Sequence, residues 1–191
     1  MVKVLNSKST KAVFLDRDGV IIKTKIVGGR PKAINSVLEI ELLDGVMDGL
    51  KHLKSLGFLL FIVTNQPDVE LGTQTKESVE DIHEWLMDEL PLDEISVSYS
   101  RLELNGKSRY KPSPEMLWEL AHKYSVDLNQ SFLIGDRWRD IGAGENAGCK
   151  TILIDYDYRE TNPFTPTWAV TSFVEAINTI KVEVEKMRRT N

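Results

Sequence analysis

Short runs of apolar and β-branched residues recur along the chain, and a segment with helical periodicity follows most of them. The runs predict five buried strands, at residues 11–16, 58–65, 94–100, 131–136 and 150–155. The periodic segments predict helices at residues 43–57, 75–90, 113–125, 140–148 and 171–189. Strands that alternate with helices indicate βαβ units and a mostly parallel sheet.

The pattern therefore predicts an α/β fold: a Rossmann-like, doubly wound parallel sheet of about five strands with helices on both faces. At 191 residues the chain is long enough for one domain with a substantial core and short for two, so we expect a single domain over residues 1–191. Residues 21–42 are expected to form a loop near the edge of the sheet. Residues 156–170 carry two prolines and are expected to form a surface excursion.

Polar residues stand at the ends of several predicted strands. Asp16 and Asp18 follow the first strand, Thr64 and Asn65 end the second, and Asp136 ends the fourth. In open α/β sheets ligands bind beyond the carboxyl ends of the strands. These residues are therefore expected to converge on one edge. Two carboxylates at one strand tip repel each other, which predicts a positive group between them.

Composition narrows the class of protein. The net charge of −5 gives no general attraction to nucleic acid or to anionic membranes. The single cysteine, Cys149, excludes an intrachain disulfide and indicates a reducing compartment. No segment approaches the ~20 apolar residues of a membrane span, and the N-terminus lacks the apolar core of a signal peptide. We expect a cytoplasmic monomer or small homo-oligomer, with no nucleic-acid or membrane partner.

Four motifs carry a resemblance to a known family: "DRDGV" (16–20), "TNQ" (64–66), "YKPSPEM" (110–116) and "GDRWRDIGAGENAG" (135–148). In order and spacing they resemble the haloacid dehalogenase (HAD) superfamily of phosphotransferases. Within it they are most similar to the small capless branch of histidinol-phosphate and heptose-bisphosphate phosphatases. The resemblance covers roughly residues 11 to 180. Predicted helices and strands largely fill the intervals between the motifs, so no large cap domain is expected.

The resemblance implies a role for each matching residue in catalysis. Asp16 would be the nucleophile that takes the phosphoryl group as an aspartyl-phosphate. Asp18 would protonate the leaving oxygen and then activate water. Thr64 and the backbone N–H of Asn65 would hold phosphate oxygens, and Lys111 would steady the nucleophile and the transferring group.

The resemblance also implies a magnesium site and contacts to substrate. The metal would be held by Asp16, Asp136, the backbone carbonyl of Asp18, and Asp140 in direct or water-mediated support. The residues expected to bind substrate are Asn65, Gln66 and Arg109.

The chemistry of the residues agrees with these roles. A carboxylate nucleophile and a phosphate dianion repel each other, and a hard divalent cation offsets that repulsion. Mg²⁺ prefers a few carboxylates together with water and substrate oxygens. A second acid two residues after Asp16 is useful in phosphate chemistry and not in carbon–halogen cleavage. The presence of Asp18 therefore favours a phosphatase over a dehalogenase.

The chain also departs from the family pattern. Residues 98–110 contain no Cys or His, so the structural zinc of some relatives is not expected. Tyr110 stands where heptose-bisphosphatases usually have an arginine, with Arg109 one position earlier. Residues 67–72 differ as well, and selectivity is expected to come from residues 21–42, 67–72 or 98–110, or from a partner subunit. The three histidines fall on predicted helices and are expected to lie away from the motifs, at the helix surface or partly buried: His52, His83 and His122.

These observations favour a Mg-dependent phosphomonoesterase for a small phosphorylated metabolite. A sugar phosphate such as D-glycero-D-manno-heptose 1,7-bisphosphate is the first expectation. Alternatives are a histidinol-phosphate phosphatase, a polynucleotide-end phosphatase, a phosphotransferase with an alcohol acceptor, and a non-catalytic binding protein. The acidic net charge argues against the polynucleotide-end phosphatase.

Overall fold

The computed structural model describes residues 10–27, 30–101, 108–158 and 160–190. Within them the strands are β1 (Lys11–Leu15), β2 (Lys25–Val27), β3 (Arg30–Lys32), β4 (Phe58–Asn65), β5 (Glu94–Ser98), β6 (Phe132–Gly135), β7 (Lys150–Ile154) and β8 (Trp168–Val170). The α-helices are α1 (Val46–Ser55), α2 (Lys76–Glu89), α3 (Glu115–Tyr124), α4 (Trp138–Ala147) and α5 (Phe173–Thr190). All five predicted helices and all five predicted strands are present.

The main sheet has the order β5-β4-β1-β6-β7-β8, and all its strands are parallel. Strand β1 lies at the centre, with Val13 opposite Leu60 of β4 and Phe132 of β6. The predicted doubly wound α/β fold is thereby confirmed. The central position of β1 explains its continuous apolar sequence, because both of its faces are buried.

The sheet has one strand more than predicted. β8 lies in the segment expected to be a surface excursion, and its three residues pair with the edge of β7. The Thr167 Oγ1 atom accepts a hydrogen bond from the backbone N–H of Thr151 (3.0 Å), and Thr151 Oγ1 accepts one from the N–H of Thr167 (3.1 Å). This reciprocal pair fixes the start of β8 beside β7.

Helices cover both faces of the sheet, and side chains alternate along β1 accordingly. Val13 and Leu15 pack in one core with α1, α2 and α5. Ala12 and Phe14 point to the other face and pack with α3 and α4. The edge at which the central strands end is left open by this arrangement.

The connection over residues 21–42 holds more structure than a loop. It contains the antiparallel pair β2–β3 and a short 3-10 turn, Val37–Glu39. Residues 28–29 of this segment, and residues 102–107 of the segment 98–110, lie outside the described residues. The part of the chain that is described contains no inserted cap domain. None of its helices is long and apolar enough to cross a membrane.

Candidate active site

The three central strands end side by side at the open edge of the sheet. Asp16 follows β1, Thr64 and Asn65 end β4, and Asp136 follows β6. The turn before α3 adds Lys111, and the first turn of α4 adds Asp140. The structure thus brings together the motif residues that the sequence placed at strand ends.

Lys111 lies at the centre of this group. Its Nζ atom is 2.8 Å from Asp16 Oδ1, 2.5 Å from Asp140 Oδ1 and 2.8 Å from the carbonyl oxygen of Val63. The residue is 2 % exposed. Burial alone would lower its pKa, but the carboxylates of Asp140 and Asp16 outweigh burial and raise the pKa. Lys111 is therefore the counter-charge of Asp16 and Asp140. The positive group that pairs with Asp18 is Arg17, so the single cation predicted between Asp16 and Asp18 is replaced by two.

Asp16, Asp136 and Asp140 form a buried cluster in which one oxygen from each lies within 4.8 Å of the others. Burial, and then Asp140, raises the pKa of Asp16 to about 7 against the opposing pull of Lys111. Burial, followed by Asp16 and Asp140, raises the pKa of Asp136 well above its usual value. Lys111 pairs with only Asp16 and Asp140 of these three residues, so the cluster holds an excess of carboxyl groups that a cation would neutralise.

The hydrogen bonds indicate which carboxylates suit a metal. Asp140 uses Oδ1 for Lys111 and Oδ2 to accept from the backbone N–H of Arg137 (3.0 Å). Asp136 Oδ1 is buried and has no hydrogen-bond partner among the described residues. Hard, unpaired carboxylate oxygens are the ligands that Mg²⁺ takes. Asp16 and Asp136 fit a magnesium ion, and Asp140 holds Lys111 beside them.

The hydrogen bonds to the Asp18 carboxylate all end on one of its two oxygens. Its Oδ2 accepts hydrogen bonds from Arg17 Nε (3.1 Å), Arg17 Nη2 (2.9 Å) and Gln66 Nε2 (2.9 Å). Its Oδ1 is buried and has no hydrogen-bond partner among the described residues. Gln66 also donates from Nε2 to Thr64 Oγ1 at 2.9 Å. Gln66, predicted to bind substrate, is buried and bonds Asp18 and Thr64 instead.

Asn65 lines the pocket and also fixes the backbone of Lys111. The Asn65 side chain donates to the Lys111 carbonyl (3.2 Å) and accepts from the Lys111 N–H (3.0 Å). This pair of bonds ties the end of β4 to the turn that carries Lys111.

Arg109 is, after Gln66, the second predicted substrate-binding residue that does not line the pocket. Its guanidinium donates to Glu119 Oε2 (3.0 Å), the carbonyl of Val97 (3.0 Å) and Ser96 Oγ (2.9 Å). These bonds hold the side chain against β5 and α3, so the expected contact with substrate is not supported by its position. Arg101 lines the pocket instead.

A pocket of about 240 Å³ opens above the carboxylates. Its lining combines acidic, cationic and neutral groups: Asp16, Asp18, Asp136, Asn65, Thr24, Ala33, Pro67, Tyr110, Arg101, Arg137 and Arg139. Arg137 is paired with Glu160, and Arg139 lies over the ring of Trp138 at 4.5 Å. Arginines facing a cation site suit an anionic ligand that bridges the two.

Several groups at the site were not anticipated. His83 was expected to lie away from the motifs, and this is wrong: its Nε2 atom is 3.2 Å from Arg17 Nη1. Helical spacing could have indicated that His83 is buried, because His83 shares a face of α2 with the buried Val79.

Tyr158 is a second residue at the site that was not predicted. It hydrogen-bonds Asp136, and burial together with that carboxylate raises the pKa of Tyr158. No pattern in the sequence pointed to Tyr158.

Comparison with known proteins gives concordant results. The HAD-hydrolase-like family model matches residues 109–176. A D-glycero-beta-D-manno-heptose-1,7-bisphosphate 7-phosphatase of Helicobacter pylori is 34 % identical over 152 residues, which cover 76 % of this chain and 84 % of that protein. The protein of the same name from Escherichia coli K12 is 28 % identical over 194 residues, 92 % of this chain and 96 % of its own length.

A solved structure has the same fold. The D,D-heptose 1,7-bisphosphate phosphatase of B. bronchiseptica, complexed with magnesium and phosphate, aligns with a TM-score of 0.75 at 23 % identity. The alignment covers 91 % of this chain and 99 % of that one.

Proposed function

The chain belongs to the haloacid dehalogenase superfamily of phosphatases, and from that premise we propose that it is a Mg-dependent phosphomonoesterase that hydrolyses a heptose 1,7-bisphosphate. The observation that carries the proposal is that Asp16 bonds Lys111, clusters with the Asp136 carboxylate and lines the same pocket as three arginines. Relatives that span most of the chain bear the name heptose-1,7-bisphosphate 7-phosphatase.

The metal site would be formed by Asp16, Asp136 and the backbone carbonyl of Asp18, with Asp140 in support through Lys111. When bound, Mg²⁺ would offset the repulsion between the Asp16 carboxylate and a phosphate dianion. Lys111 adds a second positive charge from the protein itself, fixed by its bonds to Asp16 and Asp140. Phosphoryl transfer depends mainly on such positioning and charge stabilisation.

The reaction would take place in two displacements at phosphorus. A carboxylate oxygen of Asp16 forms the new P–O bond while the bond to the sugar oxygen breaks, and Asp18 gives its proton to that leaving oxygen. Asp18, now ionised, takes a proton from a water molecule that attacks the aspartyl-phosphate. Inorganic phosphate leaves, and both carboxyl groups return to their starting states.

The arginines support a substrate with a second negative group. A sugar monophosphate places one phosphate at the carboxylates and needs no further cation. Arg101 and Arg139 line the same pocket as Asp16 and can meet a second phosphate. We expect the enzyme to be a cytoplasmic monomer or small homo-oligomer whose site is complete in one domain.

The test is phosphate release from a panel of phosphorylated compounds, with Mg²⁺ and then with EDTA. The panel contains heptose 1,7-bisphosphate, histidinol phosphate, hexose and pentose monophosphates, and a phosphorylated DNA end. EDTA-sensitive hydrolysis that is strongest for heptose bisphosphate would support the proposal. Preference for another compound would show that the proposed substrate is wrong but that the protein is still a phosphatase. If the folded protein releases no phosphate from any compound, both the substrate and the reaction are refuted.

A further inference from the structure

A buried chain of hydrogen bonds runs from α2 to the Asp18 carboxylate. We infer that His83 is a positioning residue for Asp18: acting through Arg17, it fixes the orientation of the Asp18 carboxylate. The inference rests on the proposed function, because the orientation of Asp18 matters only if Asp18 transfers protons to and from the substrate.

Arg17 is the link between the two residues. It is 0 % exposed, and three of its guanidinium nitrogens have partners: Nε and Nη2 donate to Asp18 Oδ2, and Nη1 lies 3.2 Å from His83 Nε2. A guanidinium has only donors, so His83 Nε2 must be the acceptor and its proton must be on Nδ1. Burial, and then Arg17, lowers the pKa of His83 to about 4, which keeps the ring neutral as this bond requires.

The donors around Asp18 distinguish its two oxygens. Oδ2 accepts from Arg17 Nε, Arg17 Nη2 and Gln66 Nε2, and none of these groups can take up a proton. Oδ1 has no partner among the described residues, and Asp18 lines the pocket. The three bonds to Oδ2 therefore fix the orientation of the whole carboxylate and leave Oδ1 as its unpaired oxygen among the described residues.

His83 matters because an unpaired donor on a buried guanidinium is unfavourable. If the ring is replaced by a side chain without an acceptor, Nη1 loses its partner and Arg17 is free to turn toward another one. Any turn of the guanidinium displaces the two bonds to Asp18 Oδ2. Because α2 packs against the core through Val79 and Leu86, the helix holds the His83 ring in place.

The test uses three variants that differ in their ability to accept from Arg17. His83→Phe keeps the ring volume without an acceptor. His83→Gln places an amide oxygen near the position of Nε2, and His83→Asn has the same chemistry but a side chain too short to reach. His122→Phe, an exposed histidine on α3, is the matched control.

The readout is kcat/KM for heptose 1,7-bisphosphate, whose 7-phosphate is an alkyl phosphate, and for p-nitrophenyl phosphate. The alkyl oxygen needs a proton as it leaves, whereas the nitrophenolate leaves as a stable anion. Since kcat/KM reports the step in which the leaving group departs, loss of acid catalysis lowers it selectively for the alkyl substrate. We expect the Phe and Asn variants to lose about tenfold or more with the alkyl phosphate and less than about threefold with the aryl phosphate. The Gln variant should recover most of the loss.

Other results would overturn the inference. Equal losses with both substrates would mean that His83 only stabilises the fold, and unchanged rates would mean that Arg17 needs no partner. If His83→Phe fails to fold, the kcat/KM values of His83→Gln and His83→Asn are compared instead, because only the Gln side chain can accept from Arg17. The wild-type protein separates the two proposals: if it hydrolyses neither heptose 1,7-bisphosphate nor p-nitrophenyl phosphate, the proposed function fails before His83 is tested.

Discussion

The Asp136 carboxylate packs against the Cα atom of Gly19, in the space that a β-carbon at residue 19 would occupy. A Cβ there would overlap Asp136 Oδ2 and lie 2.7 Å from Cγ. The backbone at Gly19 also has a φ of +85°, which residues with a side chain rarely adopt. The turn after β1 can therefore approach the end of β6 only if residue 19 is glycine.

The first prediction is that Gly19→Ala disables the site. The added methyl group must displace the Asp136 carboxylate, which changes its position relative to Asp16, the other carboxylate that fits a magnesium ion. We expect kcat/KM to fall by about 100-fold or more, since small displacements at a reacting centre have effects of this size. Magnesium affinity, measured by calorimetry, should fall as well.

Gly57→Ala is the matched control for this variant. Its φ is +86°, nearly the same as at Gly19, but no atom lies within 4 Å of the position that a β-carbon would take there. The backbone strain should lower the free energy of unfolding by about 1–2 kcal/mol and leave kcat/KM unchanged. Equal loss of activity in both variants would show that general destabilisation, and not displacement of Asp136, is responsible.

The second prediction concerns the nucleophile. Asp16→Asn keeps the size of the side chain but removes the charged oxygen that attacks phosphorus, so kcat should fall by at least about 1,000-fold. Lys111 retains its bond to Asp140, and the circular dichroism spectrum should match that of the wild type. Full turnover by the variant would refute the aspartyl-phosphate mechanism.

The third prediction is that Lys111 is required for stability as well as for activity. Lys111→Met leaves Asp16 and Asp140 buried without their counter-charge. Removal of one partner from a buried ion pair lowers the free energy of unfolding by about 3–5 kcal/mol. Denaturant unfolding of the metal-free protein at pH 7 or above measures the loss.

Lys123→Met is the control, because it makes the same chemical change at an exposed pair with Glu94. Its effect on unfolding should be far smaller, since water screens the exposed partners. Comparable losses in the two variants would contradict a special role for Lys111.

The fourth prediction links pH to magnesium. The pKa of Asp16 is raised from 3.8 to about 7, so between these values the metal-free folded protein keeps a proton that the unfolded chain has released. Its free energy of unfolding should therefore fall as pH rises from about 4 to about 7. Mg²⁺ needs the ionised carboxylate, so the increase in melting temperature on adding Mg²⁺ should grow over the same range.

Melting curves with MgCl₂ and with EDTA at several pH values test this relation. In Asp16→Asn the contribution of residue 16 is absent, and the pH dependence of the magnesium effect should be weaker. A magnesium effect of constant size from pH 5 to pH 8 would show that the carboxylates are already ionised in the metal-free protein.

The fold could be predicted where the local pattern of apolar and polar residues shows which positions are buried. The run at residues 11–16 is apolar without alternation because β1 is covered on both faces, and that feature is visible in one sequence. β8 was not predictable, because its three residues follow prolines and the hydrogen bonds that fix its start come from Thr151, 16 positions before Thr167. Three residues are too few to show the apolar run or the alternation by which a strand is recognised in a sequence.

The site was predictable for the residues at strand ends and less so for those around them. Asp16 and Asp136 converge because parallel neighbours end at the same edge. The contact of His83 with Arg17 joins residues 66 positions apart through the packing of α2, and no local pattern encodes it. The nearness of Arg109 to Lys111 in the sequence did not predict its position correctly. Its guanidinium is bound by Ser96 and Glu119, and it does not line the pocket.

The last prediction compares the two arginines directly. Arg101 lines the pocket, whereas Arg109 is bound to Ser96, Val97 and Glu119. If Arg101 meets the second phosphate of a bisphosphate, Arg101→Gln should raise KM for that substrate about tenfold, the usual scale for one hydrogen bond to a charged group. It should change KM for a monophosphate little, because a monophosphate has no second anionic group. Arg109→Gln should leave both KM values unchanged, and steady-state kinetics on the two substrates measure all four effects. A rise in KM for Arg109→Gln alone would mean that the substrate binds near β5 and α3, where Ser96, Val97 and Glu119 hold Arg109, and not beside Arg101.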